Sequence, residues 1–174
     1  MKDSKVRKLV LAAMFAALTT VMTMVIQVPS PMQGYVNLGD CAVLLSAWVL
    51  GPVYGGAAAG IGSMMADIIS SYTHYAPGTL VIKAAMAVVA AVVFQAAKNK
   101  SCGKQLAAQV TGGIMAEIIM VLGYFGYCGL WLGKGMAAAT SIPGNVIQGI
   151  FGLVSAIAVY AILDRSHALK RANI

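Results

Sequence analysis

Charge is scarce in this sequence. Asp, Glu, Lys and Arg make up 10% of its 174 residues, where a water-soluble domain carries about a quarter. With 60% hydrophobic residues and a mean hydropathy of +0.83, the chain lacks the polar groups to cover itself in water, so its solvent is lipid. It also lacks the polar–apolar alternation of a transmembrane β-barrel. Its apolar runs are unbroken and rich in Ala, Val, Ile, Leu, Met and Gly, and helices satisfy their backbone groups internally in such a setting. Cysteine is sparse and odd in number. Cys41, Cys102 and Cys128 show no CxxC or metal-ligand spacing, which argues against a disulfide framework and leaves each as a small buried hydrophobe. The GxxxxGK[ST], HExxH and GxSxG patterns are missing, as is any His/Cys cluster. The chain is therefore not expected to hydrolyse ATP or to be an enzyme, and no catalytic or metal-binding residue is assigned.

A helix needs about 20 residues to cross roughly 30 Å of hydrocarbon. Five runs meet that need, at 9–26, 53–71, 79–97, 106–128 and 141–163. The first is too long for a signal-peptide core and is followed by no A-x-A site, so it is kept as a helix. A shorter run, 38–50, opens on Asn37-Leu38-Gly39-Asp40 and is parted from the next by Gly51-Pro52, a turn because Pro cannot continue a helix. Basic residues decide whether that short run is a span. They cluster at Lys2, Lys5, Arg7 and Lys8, at Lys98, Lys100 and Lys104, and at Arg165, Lys170 and Arg171. The positive-inside rule places all three clusters in the cytoplasm, so even numbers of spans must separate them, and only counting 38–50 achieves this. The expectation is an all-α membrane protein: one domain over 1–174, six transmembrane helices and both termini cytoplasmic. Loops 27–37, 72–78 and 129–140 then face outward, rich in Pro, Gly, Tyr and Ser, with Pro29-Ser30-Pro31 in the first. The net charge of +7 follows from this topology and requires no nucleic-acid partner.

Ionisable groups inside apolar runs carry the functional signal. Asp67, Lys83 and Glu117 are such groups, and centring one in a bilayer costs at least about 2.5 kcal/mol, so each must face a partner or a cavity. Glu117, the most deeply placed, reads as ligand-facing or as a structural polar contact. Asp67 reads as an ion-pair partner for Lys83. Lys83 and Thr79, one turn apart after Pro77, can line the outer half of the fourth span. The sixth opens with Ser141-Ile142-Pro143-Gly144-Asn145, and Asn145 and Gln148, three apart, share a face. Two such amides suit a neutral heterocycle or a neighbouring helix. Tyr124, two turns beyond Glu117 on one stripe, can stack on a flat ligand or anchor at the membrane interface. His74 sits in an outer loop, as a substrate contact or as a solvated side chain. Small residues recur four apart in the first span, Ala12 with Ala16 and Ala13 with Ala17, and again around Gly56, Gly60 and Gly62. Such faces let helix backbones approach closely in lipid.

Taken in order along nearly the whole chain, several segments resemble the substrate-binding S components of energy-coupling-factor (ECF) vitamin transporters, in their riboflavin-transporter-like subgroup. They are Leu11-Ala12-Ala13-Met14-Phe15-Ala16-Ala17, Gly34-Tyr35-Val36-Asn37-Leu38-Gly39-Asp40, Leu50-Gly51-Pro52, Gly62-Ser63-Met64-Met65-Ala66-Asp67, Tyr75-Ala76-Pro77-Gly78-Thr79 and Pro143-Gly144-Asn145. The resemblance implies a six-helix S-component fold in a bacterial cell membrane, binding a vitamin or vitamin precursor near its outer face. It implies docking of Ala12, Ala13, Ala16 and Ala17 on a transmembrane coupling subunit that works with two ABC-type ATPases. These partners bind the ATP, this chain needs no cofactor, and the S component topples to deliver its ligand. The pocket is expected among the last three helices and the outer loops, where Lys83, Glu117, Tyr124, Asn145 and Gln148 lie, with Thr79 and His74 nearby. Hydroxymethylpyrimidine or a pyridoxine-type vitamin is favoured, with pantothenate and riboflavin as alternatives. A self-sufficient homo-oligomeric transporter or channel is the rival reading, and a membrane enzyme using Asp67 and Glu117 a more distant one.

Overall fold

Residue size, more than polarity, sorts the inside of this bundle from its outside. The computed structural model describes residues 2–30, 34–167 and 169. Its elements are α1 (Lys2–Val25), β1 (Gln27–Ser30), β2 (Gly34–Asn37), α2 (Gly39–Ile69), α3 (Ala76–Gln95), α4 (Cys102–Gly126) and α5 (Ile142–Arg165). A π-helical turn (Tyr127–Trp131) and a 3-10 turn (Gly135–Ser141) join α4 to α5. Among the described residues, five helical stretches are long and apolar enough to cross a membrane. The second of them, α2, is two rods joined at Gly51, whose φ of 80° and ψ of −176° no helix contains. Pro52 follows, so the Gly51-Pro52 turn read from the sequence is present as a reversal between residues 39–50 and 52–69, giving six rods among the described residues.

The first half of α2 is apolar around its whole circumference, and such a helix belongs at a core. Cys41, Ala42, Val43, Leu44, Leu45, Ala47, Trp48 and Val49 are all buried. In the second half, Gly55, Gly56, Ala58, Ala59, Gly60, Gly62 and Ala66 face inward while Val53, Ile61, Met65, Ile68 and Ile69 face out. Hydrocarbon outside makes burial of large apolar groups nearly neutral, so close backbone approach decides the packing. Gly62 meets the Ala16 carbonyl of α1 and receives a 2.8 Å hydrogen bond from Thr20 on its own carbonyl. Gly60 meets Leu80 and Ala84 of α3. The two alanine pairs of α1 therefore part company: Ala12 and Ala16 turn toward the bundle, while Ala13 and Ala17 are exposed.

Lys8, Lys98 and Gly51 gather at one end of the bundle. At the other end the connections are structured rather than open. Residues 27–37, expected to be a loop, include an antiparallel hairpin in which Val28 faces Val36 and Pro29 faces Tyr35. Two four-residue strands, one interrupted by Pro, carry too little alternation to be read in advance. Likewise 129–140, expected as a loop, is largely helical turn. Pro31 of the first outer loop and Lys170 and Arg171 of the third basic cluster lie outside the described residues.

Candidate substrate site

The polar residues of four elements converge beneath the hairpin. Lys83 of α3 forms an ion pair with Asp40, the first acid of α2, and both side chains are buried. Gln148 of α5 donates from Nε2 to Asp40 Oδ2 at 2.6 Å, while its Oε1 accepts the backbone N–H of Asn37 at 2.8 Å. Met120 of α4 packs its sulfur 3.2 Å from Lys83 Nζ and 3.3 Å from Gln148 Nε2. One buried layer thus ties the hairpin, α2, α3, α4 and α5 together. A buried pair of this kind needs its remaining lone pairs and protons met by further hydrogen bonds, and Gln148 and Met120 meet several of them.

Above this floor lies a cavity of about 50 Å³. Its walls are Tyr35 and Asn37 from the hairpin strand, Asp67 from the end of α2, Tyr75 just before α3 and Thr79 in its first turn, Tyr124 from the end of α4, Cys128 from the π-helical turn, Ser141 from the 3-10 turn, and Asn145 and Gln148 from the start of α5. Tyr35 donates to Asp67 Oδ1 at 2.7 Å, whereas Asp67 Oδ2 is buried with no hydrogen-bond partner among the described residues. Thr79 and Tyr124 share a hydroxyl–hydroxyl bond of 3.0 Å. Burial pushes the Tyr35 hydroxyl well above the ordinary tyrosine range, and the neighbouring Asp67 adds to it. The Tyr75 hydroxyl is raised too, by burial and then by Cys128. Both phenols therefore remain hydrogen-bond donors through any physiological pH.

Among the residues singled out from sequence, Thr79, Tyr124, Asn145 and Gln148 surround this cavity. Lys83 lies in its floor, committed to Asp40 rather than to Asp67 as its spacing had implied. His74 is exposed, its ring 4.7 Å from that of Tyr75 and its carbonyl bonded by Tyr127, but it does not line the cavity. Glu117 does not line it either. Seven residues before Tyr124, it lies about 10 Å deeper along α4, below Met120, against Gly149 and beside an apolar cleft formed by Ile118, Val121, Ile150 and Leu153. Both of its oxygens lack hydrogen-bond partners among the described residues. Depth, not direction around the helix, separates it from the cup. Sequence reasoning missed Tyr35, Asn37, Asp40, Tyr75, Cys128 and Ser141. Asp40 carried a signal, an acid at the head of an apolar run, but reads there as the boundary of a short span.

The chain and its fold have counterparts among known proteins. The family described as ECF-type riboflavin transporter, S component, matches residues 3–165. The chain belongs to that family. It is thus an integral, multi-pass membrane protein and a substrate-binding subunit of a transporter. An uncharacterized protein in a gap 3′ region of Pyrococcus woesei is 38% identical over 136 residues, 78% of this chain and 86% of that protein. A solved S component of a bacterial ECF transporter superposes with a TM-score of 0.70, covering 92% of this chain and 97% of its own at 21% identity. At that identity the likeness is one of fold, and it places this S component among the helical S-component structures.

Proposed function

We propose that this S component binds a small, flat, nitrogen-bearing ring in the cup beneath its hairpin, a hydroxymethylpyrimidine or pyridoxine-type vitamin precursor. The observation that carries the reading is the free Oδ2 of Asp67, an acceptor buried in a tyrosine-lined cavity. Ring N–H, amino or protonated ring nitrogen donors satisfy such an acceptor, and Tyr75 and Tyr124 supply faces for stacking. Asn145 and Asn37 offer amides to ring nitrogens and to a hydroxymethyl group. Lys83, the cation that would have welcomed the carboxylate of pantothenate, is held by Asp40. The cavity of about 50 Å³ suits a single ring with short substituents better than a fused tricycle such as a flavin.

In this reading the cup opens outward and the lysine-rich end faces the cytoplasm. The chain itself catalyses nothing, and a transmembrane coupling subunit with two ATPases supplies the energy from ATP they bind. Delivery follows from toppling of the S component against the coupling subunit, with the exposed Ala13 and Ala17 in contact with it. Isothermal titration of the purified protein with hydroxymethylpyrimidine, pyridoxine, pantothenate and riboflavin tests the ligand. Asp67→Asn is expected to weaken binding of the preferred nitrogen ring roughly tenfold or more, as loss of a charge-assisted bond does. Normal binding by Asp67→Asn, or selective binding of pantothenate or riboflavin, would contradict the reading.

A further inference from the structure

The charges around the cup do not balance. Its described lining holds one carboxyl, Asp67, and no lysine, arginine or histidine; the other side chains are phenols, hydroxyls, amides and a thiol. Asp67 is 5% exposed. It accepts from Tyr35 at Oδ1, and its Oδ2 has no hydrogen-bond partner among the described residues. Lys83 and His74 are the basic side chains that act on it electrostatically, and neither is placed to neutralise it. Lys83 is held by Asp40 in the floor, so that pair cancels. His74 is exposed and outside the cavity wall. Lys134 rests on Tyr75, its Nζ 3.4 Å from the hydroxyl and 5.5 Å from the ring centre, and it does not line the cavity either. One acid is therefore left over. A buried charge without a counter-charge is costly, and an opposite charge brought close relieves the cost. A neutral ring could meet Oδ2 with an N–H, but it would leave the charge uncompensated. The faces of Tyr75 and Tyr124 attract a cation as well.

We propose that the cup selects its ligand for positive charge, taking a single flat ring with a cationic nitrogen and using Asp67 as the counter-ion. A protonated pyridine or aminopyrimidine, or a ring bearing an ammonium group, meets the rule, and the uncharged form of the same ring is discriminated against. The inference rests on the reading of the cup as the substrate site and adds a charge requirement to it. An occupied cup is then electrically neutral, which lowers the cost of carrying the ligand through hydrocarbon.

Isothermal titration of the purified full chain at neutral pH with benzylammonium and benzyl alcohol tests this. The two probes are single rings of the same size, one charged and one not. The wild-type protein is expected to prefer benzylammonium roughly tenfold or more. Asp67→Asn keeps a side-chain acceptor but removes the charge, and it brings the two affinities to within about twofold of each other. Glu117→Gln, which removes a buried acid outside the cup, leaves the preference intact. The wild-type comparison stands alone should Asp67→Asn fail to fold. Equal affinities, a preference for benzyl alcohol as a protonated Asp67 would give, no binding of benzylammonium, or a preference that survives Asp67→Asn overturns the proposal. Binding of hydroxymethylpyrimidine or pyridoxine without the charge preference overturns the charge rule and leaves the ring reading standing. The charge preference without binding of either precursor upholds the rule and overturns the choice of ligand.

Discussion

Asp40, Lys83 and Gln148 set the energetic stakes at the level of single side chains. Removing one member of a buried ion pair leaves the other charge uncompensated, at a cost of about 3–5 kcal/mol, whereas replacing both is often nearly neutral. Lys83→Met is therefore expected to lower the thermal midpoint in detergent sharply, and Asp40→Asn combined with Lys83→Met to recover most of the loss. Equal damage from the single and double variants would mean that the pair matters for packing rather than for charge. Glu117 makes the opposite case. Its carboxyl is buried beside an apolar cleft with no hydrogen-bond partner among the described residues, so Glu117→Leu should raise the midpoint by a few degrees and leave ligand titration unchanged. The sequence shows that Asp67, Lys83 and Glu117 are costly in lipid, and it shows Asn145 and Gln148 on one face. It does not show which acid meets which base. That choice depends on the depth and rotation of neighbouring helices, and spacing within one helix encodes neither. Lys83 could be matched to Asp67 only by guesswork, because the winning partner, Asp40, sits on a rod whose very existence rested on counting charges.

Among elements, the reversal inside α2 is the feature most legible in advance and the most testable. Gly51-Pro52 announced it, and the parity of the basic clusters required it. Gly51 adopts φ 80° with ψ −176°, a region essentially closed to residues with a Cβ and costing about 1–3 kcal/mol to enter. A Cβ would also press on the Gln95 amide. Gly51→Ala should destabilise the protein by about that strain, read as a lowered thermal midpoint, with the cup's affinity unchanged because the break lies at the opposite end. Loss of ligand affinity without loss of stability would show instead that the two ends are mechanically coupled. The hairpin was not legible. Its register depends on tertiary anchors, the Tyr35–Asp67 bond and the 2.9 Å bond from Gln27 to Ser70, both to the end of α2. A hairpin of two short strands has little stability of its own, so local pattern could not have revealed it.

For the whole molecule, the exterior decides how an S component meets its partners. α1 is the least buried of the membrane-length helices, and around Ala13 and Ala17 it exposes Val10, Met14, Leu18 and Val21. A face of large apolar residues with two alanines four apart forms a shallow groove that admits another helix closely, and close approach is what drives helix association in lipid. Ala16 is unsuited to test this, because its carbonyl packs on Gly62 and a bulky residue there would disturb the fold itself. Ala17→Trp fills the groove from the outside while touching no internal contact described for α1. It is expected to leave ligand titration and the thermal midpoint in detergent unchanged, and to abolish co-purification with the coupling subunit and ATP-driven uptake in liposomes. Val92→Trp, on α3 and also exposed at 54%, serves as a control for bulk alone and should leave co-purification and uptake unchanged. Full uptake by the Ala17→Trp protein would remove α1 from the interface. Concentrative uptake by the wild-type chain without any partner would remove the need for an interface altogether.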